Sequence, residues 1–176
     1  SFKKAGCFIQ RLYKVSLPIM LLFFLFAATA SAVKVNAVSP DFLATDLDGT
    51  KITLSAFKGK VVILNFWSVN CGPCVVELPS LSDVGTEMKK DGLQVLGISI
   101  DTSDKPVREL YKKLKLSFPV VMDVKKDIYF DTYGLFGQPV SLVIDRRGIL
   151  REKIVGAVEW TSPKIRARLT SYLKER

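Results

Sequence analysis

The sequence predicts an α/β domain built around a buried sheet, and three observations carry that expectation. Val61-Val-Ile-Leu-Asn-Phe66 and the stretch from Leu93 to Ile100 are continuous apolar, β-branched runs of the kind buried on both faces of a central sheet. Between them, from Pro73 to Lys90, apolar residues recur at helical spacing at Leu78, Leu81, Val84 and Met88. Strand, helix and strand in that order make a βαβ unit with its two strands parallel. A chain of 176 residues has room for one domain and an appendage, and at 48% hydrophobic and 10% aromatic it has the material for a packed core.

The elements follow in order. Lys3, Lys4, Arg11 and Lys14 form a basic flank before an uncharged apolar run of 19 residues from Val15 to Val33, with Ala30-Ser31-Ala32 as a small-x-small cleavage pattern. Residues 1–33 therefore read as a signal peptide or as a retained anchor, the run being close to the roughly 20 residues that span a bilayer. The charge asymmetry places everything after it outside the cytoplasm. Cys7 precedes the apolar run, where a lipoprotein cysteine would follow it, and is read as incidental. Residues 34–39 form a short linker, and the domain occupies 40–176. Phe42 to Leu54 reads as a hairpin with Asp48-Gly49 at its turn. After the βαβ unit come a second helix from Pro106 to Lys115, a short strand at Val120-Val-Met and a weak helical turn from Lys126 to Tyr133. Ser141 to Asp145 and Ile149 to Val155 flank Arg146-Arg147-Gly148 as a hairpin. A last helix, Ser162 to Lys174, carries Ile165, Leu169, Tyr172 and Leu173 as one apolar stripe.

Charge and composition remove several functions. The net charge of +9 is partly N-terminal: the four cations of residues 1–32 leave 22 bases against all 17 acids in the remainder. No Lys/Arg run interleaved with aromatics occurs there, so nucleic acid is not an expected partner and the surplus reads as solvated surface. The absence of histidine removes Ser-His-Asp and Cys-His nucleophile activation and every zinc site that needs imidazole.

What remains is thiol chemistry. Cys71-Gly72-Pro73-Cys74 falls at the junction of the first buried strand and its helix. There the unpaired N–H groups and the positive end of the helix dipole favour thiolate over thiol at Cys71, which makes it the attacking sulfur. Cys74, one turn on, resolves the mixed disulfide and releases the reduced partner. Pro73 at the first helical position loses no internal hydrogen bond, and Gly72 leaves the approach to Cys71 open. Half a zinc site would need ligands the chain does not offer, and a CxxC loop is too short to serve as much of a staple. Glu77, three residues after Cys74, lies on nearly the same helix face and is placed to move the proton of each half-reaction, against the alternative of an exposed helix carboxylate. The redox centre is then the Cys71-Cys74 pair itself, with no other cofactor and no metal.

These residues resemble the TlpA/ResA-like, membrane-associated thioredoxin-fold proteins of bacteria. The resemblance runs from Pro40 to the C-terminus through Pro40-Asp41-Phe42, Asp48-Gly49, Leu54-Ser55-Ala56-Phe57-Lys58-Gly59-Lys60-Val61-Val62, Asn65-Phe66-Trp67, Cys71-Gly72-Pro73-Cys74, Glu77-Leu78-Pro79, Gly137-Gln138-Pro139 and Ile144-Asp145 with Gly148. It implies a thioredoxin-like fold: a central mixed sheet with helices on both faces, the CxxC at the start of the first long helix, and the N-terminal hairpin as an extension. It further implies that Pro139 is a cis-proline beside the dithiol, where adjoining backbone pairs with a substrate strand. Trp67, Asn70, Gly72, Pro73, Gln138, Pro139 and Val140 are then the expected docking surface. Asn65 stands where thioredoxin has a buried aspartate, which puts the weight of proton transfer on Glu77. Two departures bear on partner choice: Asn70 replaces the usual Trp before the first cysteine, and Val140 replaces the usual Thr after the proline.

The implied activity is thiol-disulfide exchange outside the cytoplasm, in the reducing direction. Electrons would come from a membrane thiol-disulfide donor and pass to disulfide-containing exported proteins such as apocytochrome c, with the cytoplasmic membrane as a further partner if the anchor is retained. Two alternatives stand beside it. Peroxiredoxins share the opening Pro-Asp-Phe and the Phe-Lys-Gly-Lys phrase, although they place a proline where this chain has Leu64. A non-catalytic module holding Cu(I) on two thiolates, or a partner, is the other.

Overall fold

The computed structural model describes residues 33–175. The expected signal peptide or anchor, its cleavage pattern and Cys7 lie outside the described residues, Val33 apart. Among the described residues no helix is long and apolar enough to cross a membrane.

The hairpin forms where the Asp-Gly turn requires it. β1 (Leu43–Thr45) pairs antiparallel with β2 (Lys51–Thr53), with Ala44 opposite Ile52. The Asp46 carboxylate accepts from the N–H groups of Asp48 and Thr50 (2.9 and 2.8 Å), and Gly49 takes the positive φ, 84°, that the turn needs. A single 3₁₀ turn, Leu54–Phe57, leads to β3 (Val61–Trp67), every residue of which is buried.

β3 is the centre of a five-stranded mixed sheet ordered β5-β4-β3-β6-β7. β4 (Leu93–Ser99) and β5 (Val120–Met122) run parallel to it on one side; β6 (Val140–Ile144) and β7 (Leu150–Val155) continue antiparallel on the other. The crossover from β3 to β4 is α1 (Gly72–Glu87), and that from β4 to β5 is α2 (Asp104–Leu114). Two right-handed crossovers stepping in one direction across a sheet lay their helices on one face. Accordingly Leu78, Leu81 and Val84 of α1, Val107 of α2, and Ile165, Leu169 and Leu173 of α3 (Pro163–Lys174) share a core with Val61, Ile63 and Trp67. Pro79 lies inside α1 and removes one internal donor, yet the buried stripe carries the helix on to Glu87.

The alternate residues of β3, Val62, Leu64 and Phe66, face a second core. It is closed by Ile52 of the hairpin, by Leu54 of the 3₁₀ turn, and by Ile128, Tyr129 and Tyr133 in and after the π-helical segment Asp127–Thr132. Helical segments thus cover both faces of a mixed sheet, as the sequence led us to expect.

Residues 36–39, expected as a linker, are hydrogen-bonded into the domain. The N–H groups of Asn36 and Ser39 donate to Leu150 O (2.7 Å) and Gly148 O (2.8 Å), Leu150 N–H donates to Ala37 O (2.9 Å), and Val38 bridges Ile149. This strap pairs with the start of β7, an edge strand of the sheet.

Candidate active site

The site is built at the end of the sheet where β3 and β4 finish. Cys71 caps α1 in an extended conformation (φ −93°, ψ 99°), with Pro73 in the first turn. It is bonded to Cys74 with the two Cα atoms 5.2 Å apart, within the normal span of a disulfide. The Cys74 N–H donates to Cys71 Sγ at 3.3 Å, so one unpaired donor of the helix N-terminus is aimed at that sulfur. Cys71 is half-buried and flanked by exposed Asn70, Gly72 and Pro73, whereas Cys74 is fully buried. The asymmetry separates the two sulfurs: one residue reaches the surface and the other is covered.

The loop before Cys71 is held from below. The Val69 N–H donates to the Asp101 carboxylate (3.1 Å), which also accepts from the Ser99 hydroxyl (2.8 Å) at the end of β4. Neither Ser99 nor Asp101 was singled out by the sequence reading; the polar residues that end a buried strand beside the CxxC strand are the only signal pointing to them.

Glu77 is buried, not the exposed helix carboxylate that was its alternative. The reason lies in strand parity. Asn65 has the parity of Val61, Ile63 and Trp67 and therefore faces α1, where its Nδ2 donates to Glu77 Oε1 at 2.8 Å. Ser141 on β6 is directly opposite Asn65 in register and accepts from the same amide at 2.9 Å. The Val158 N–H, in the loop before α3, donates to Glu77 Oε2 at 3.0 Å. Burial pushes the Glu77 pKa up; the hydrogen bonds from Val158 and Asn65 and the nearby Trp160 indole pull the other way but do not cancel it. A carboxyl group raised in this way, one helical turn beyond the buried sulfur, is suited to exchange a proton with a thiol.

The Gln138-Pro139 peptide is cis, and Pro139 is buried. Phe66 pairs with Val140, which sets Pro139 level with Trp67 at the dithiol end of the sheet. The Pro139 carbonyl already accepts from Gly156 N–H (2.9 Å). Gln138, half-buried, makes no backbone hydrogen bond among the described residues. The loop is steadied by the Tyr129 hydroxyl, which donates to Gly137 O at 2.7 Å.

Three residues expected on the docking surface lie below it: Pro139, buried as noted above, and Trp67 and Val140. Trp67 has no exposed surface: its parity turns it toward α1, where its indole beds on Gly97, a position at which any Cβ would lie 3.1 Å from Trp67 Nε1 and 2.9 Å from the Phe118 ring. Val140 is likewise fully buried, on the opposite face with Phe66. The exposed rim instead gains Val76 and Phe136, each 78% exposed, from the dithiol helix and the segment before the cis-proline.

A sequence model of the AhpC/TSA family matches residues 35–153. The chain is 34% identical over 143 residues to the thiol-disulfide oxidoreductase ResA of Bacillus thuringiensis subsp. konkukian (strain 97-27), covering 81% of this chain and 79% of that one. It is 33% identical over 150 residues to ResA of Bacillus anthracis, covering 85% and 83%. Among solved structures, a thiol:disulfide interchange protein of the thioredoxin family from Chlorobium tepidum TLS matches with a TM-score of 0.69 at 28% identity, over 81% of this chain and 99% of that one. StoA from Bacillus subtilis matches with a TM-score of 0.63 at 25% identity, over 76% and 98%.

Proposed function

The chain belongs to the AhpC/TSA family and within it to the ResA-type thiol-disulfide oxidoreductases, and from that premise we propose that its CGPC dithiol reduces disulfides of exported proteins outside the cytoplasm. The observation that carries this reading is the unequal pair: a half-buried Cys71 capping α1 and accepting from Cys74 N–H, with a fully buried Cys74 behind it.

In the reduced protein the Cys71 thiolate attacks one sulfur of a partner disulfide. A Cys71–partner bond forms and the partner's other sulfur leaves as a thiolate. Glu77 takes the proton of Cys74, whose sulfur then attacks Cys71 Sγ; the intramolecular disulfide forms and the partner departs with both thiols reduced. Two electrons pass to the partner, and a membrane thiol-disulfide donor returns them. Asn70, Gly72, Pro73 and Gln138 supply the contact surface, with backbone at Gln138 pairing to the partner strand. Apocytochrome c is one such partner, and the dithiol needs no other cofactor. The basic flank and apolar run of residues 1–33 supply the export or tethering that places the domain there.

The test is the equilibrium reduction potential of the Cys71/Cys74 pair, titrated against defined thiol buffers. A reversible two-electron couple well below roughly −200 mV supports a reductant; one near about −120 mV makes the protein an oxidant; the lack of a reversible couple ends the redox reading. In parallel, Cys71→Ser loses disulfide reduction, while Cys74→Ser accumulates partners as mixed disulfides.

A further inference from the structure

Arg146, in the turn between β6 and β7, gathers three chain segments at the end of the sheet remote from the dithiol. Its guanidinium donates to Gly59 O (2.5 Å), to Asp91 O (2.9 Å) and to Leu173 O (2.9 Å). Each of the tethered segments presents exposed lysines: Lys58 and Lys60 beside Gly59, Lys89 and Lys90 beside Asp91, and Lys174 beside Leu173. Arg147 adds a sixth exposed cation. Over residues 55–60, 88–92, 145–149 and 173–175 there are seven cations against three acids. Two of those acids are already engaged, Asp145 by Arg147 and Arg151, and Glu175 by Arg151. None of the five lysines forms an ion pair among the described residues.

The dithiol end has the reverse balance. Residues 68–74, 100–107, 123–139 and 156–162 contain Lys105, Lys125 and Lys126 against six acids: Asp101, Asp104, Asp123, Asp127, Asp131 and Glu159. The domain is therefore electrically polar along its strands, with the positive end opposite the chemistry. A groove at the positive end has Val38 and Phe57 in its lining and Lys58, Lys60 and Arg147 among its cations, and Val38 is 72% exposed. The strap Asn36–Ser39 is pinned beside it, and in the sequence only Lys34 and Val35 separate that strap from the uncharged apolar run ending at Val33.

We propose that this basic end is a docking surface for an anionic phospholipid bilayer. Unpaired lysines on three converging segments match a plane of phosphates better than any one small anion, and the groove beside Lys58 and Lys60, whose two carboxylates are Asp41 and the already paired Asp145, accepts the glycerol and upper acyl region. Docking there holds the Cys71 face away from the lipid.

Lysine footprinting of the full chain tests this. The protein is reconstituted into vesicles of phosphatidylcholine alone or with one quarter phosphatidylglycerol, and amine acetylation at each lysine is followed by mass spectrometry. With phosphatidylglycerol, Lys58, Lys60, Lys89, Lys90 and Lys174 are expected to react at least about fivefold more slowly, the effect vanishing in about 0.5 M NaCl, while Lys105 and Lys125 at the dithiol end do not change. Combining Lys58→Gln, Lys60→Gln, Lys89→Gln and Lys90→Gln is expected to abolish protection at Lys174 and to leave reduction of a soluble disulfide unchanged. Equal acetylation in both vesicles, or retained protection of Lys174 in that variant, overturns the proposal. So does equal protection of the same lysines by a short single-stranded RNA in phosphatidylcholine vesicles, which would assign the surface to nucleic acid.

Discussion

Glu77 and Asp145 are carboxylates with the same 3% exposure, one under the dithiol and one at the β6–β7 turn, yet their acidities move in opposite directions. For both, burial pushes the pKa up. At Asp145 that is outweighed by the N–H groups of Ile149 and Arg147 and by the guanidinium groups of Arg151 and Arg147, and the pKa ends below the ordinary value. At Glu77 one backbone N–H, one amide and a nearby indole face the group with no cation, and the pKa ends above it. Burial alone therefore does not set the direction of a carboxylate's pKa shift; whether the donors facing it are neutral or cationic does. Asp145 is a turn-forming anion with a lowered pKa, and Glu77, with a raised one, is the carboxyl group we propose as the proton carrier.

The largest way to break this comparison is Glu77→Gln. The rate of disulfide release is expected to fall roughly 100-fold and to lose its dependence on pH between acid and neutral, measured by stopped-flow single-turnover reduction of a peptide disulfide. A variant that keeps wild-type rate and pH profile would remove Glu77 from the mechanism. The same variant carries a stability signature of fixed sign. Because the folded-state pKa is raised, ionisation above the unfolded value of 4.5 works against the wild-type fold, so the Gln variant should gain on wild type in urea melts as pH rises from about 4.5 to 7.

Asp145→Asn should behave in the opposite sense. We expect it to lower unfolding free energy by about 2 kcal/mol at pH 7, since two backbone N–H groups and two guanidinium groups lose their anion. Its folded pKa is depressed, so the wild-type advantage is present above 3.8 and disappears as pH falls through the folded value. Catalysis should be unchanged; a tenfold rate loss would show that the two carboxylates are not independent. Asn65→Leu sharpens the comparison further. Losing the amide donor should raise the Glu77 pKa again and move the pH-rate limb to higher pH, with about 1 kcal/mol of stability lost. The smallest effect belongs to Arg147→Ala: its side chain is 66% exposed, and its pair with Asp145 should be worth under about 0.5 kcal/mol in thermal or urea unfolding.

How much of this was legible in the sequence depends on the distance over which each feature is determined. β3 and α1 declare themselves through local periodicity, and the cysteines through their place at a strand-to-helix junction. The union of Asn65, Glu77 and Ser141 is a consequence of register across two strands and one helix, and no single-chain spacing encodes it. Trp67 belongs to a strand buried on both faces, so either parity turns it inward, and the parity it shares with Val61 and Ile63 decides only that it meets α1. The strap at residues 36–39 has no periodicity of its own, because its structure comes from the edge of β7. The positive end of the domain was diluted into a net charge, since its cations come from four separate stretches of chain.

The bond from Val158 N–H to Glu77 Oε2 gives the molecule a spectroscopic indicator. An amide proton that donates to a carboxylate shifts when that carboxylate gains a proton, so the Val158 resonance should trace the Glu77 titration while the cysteines remain unlabelled. Followed first in the oxidised and then in the reduced protein, this one peak would reveal how far the state of the sulfurs and the state of the carboxyl group are coupled. The backbone of a loop more than eighty positions along the chain from Glu77 thus becomes the readout of the titration of a carboxyl group beneath the dithiol.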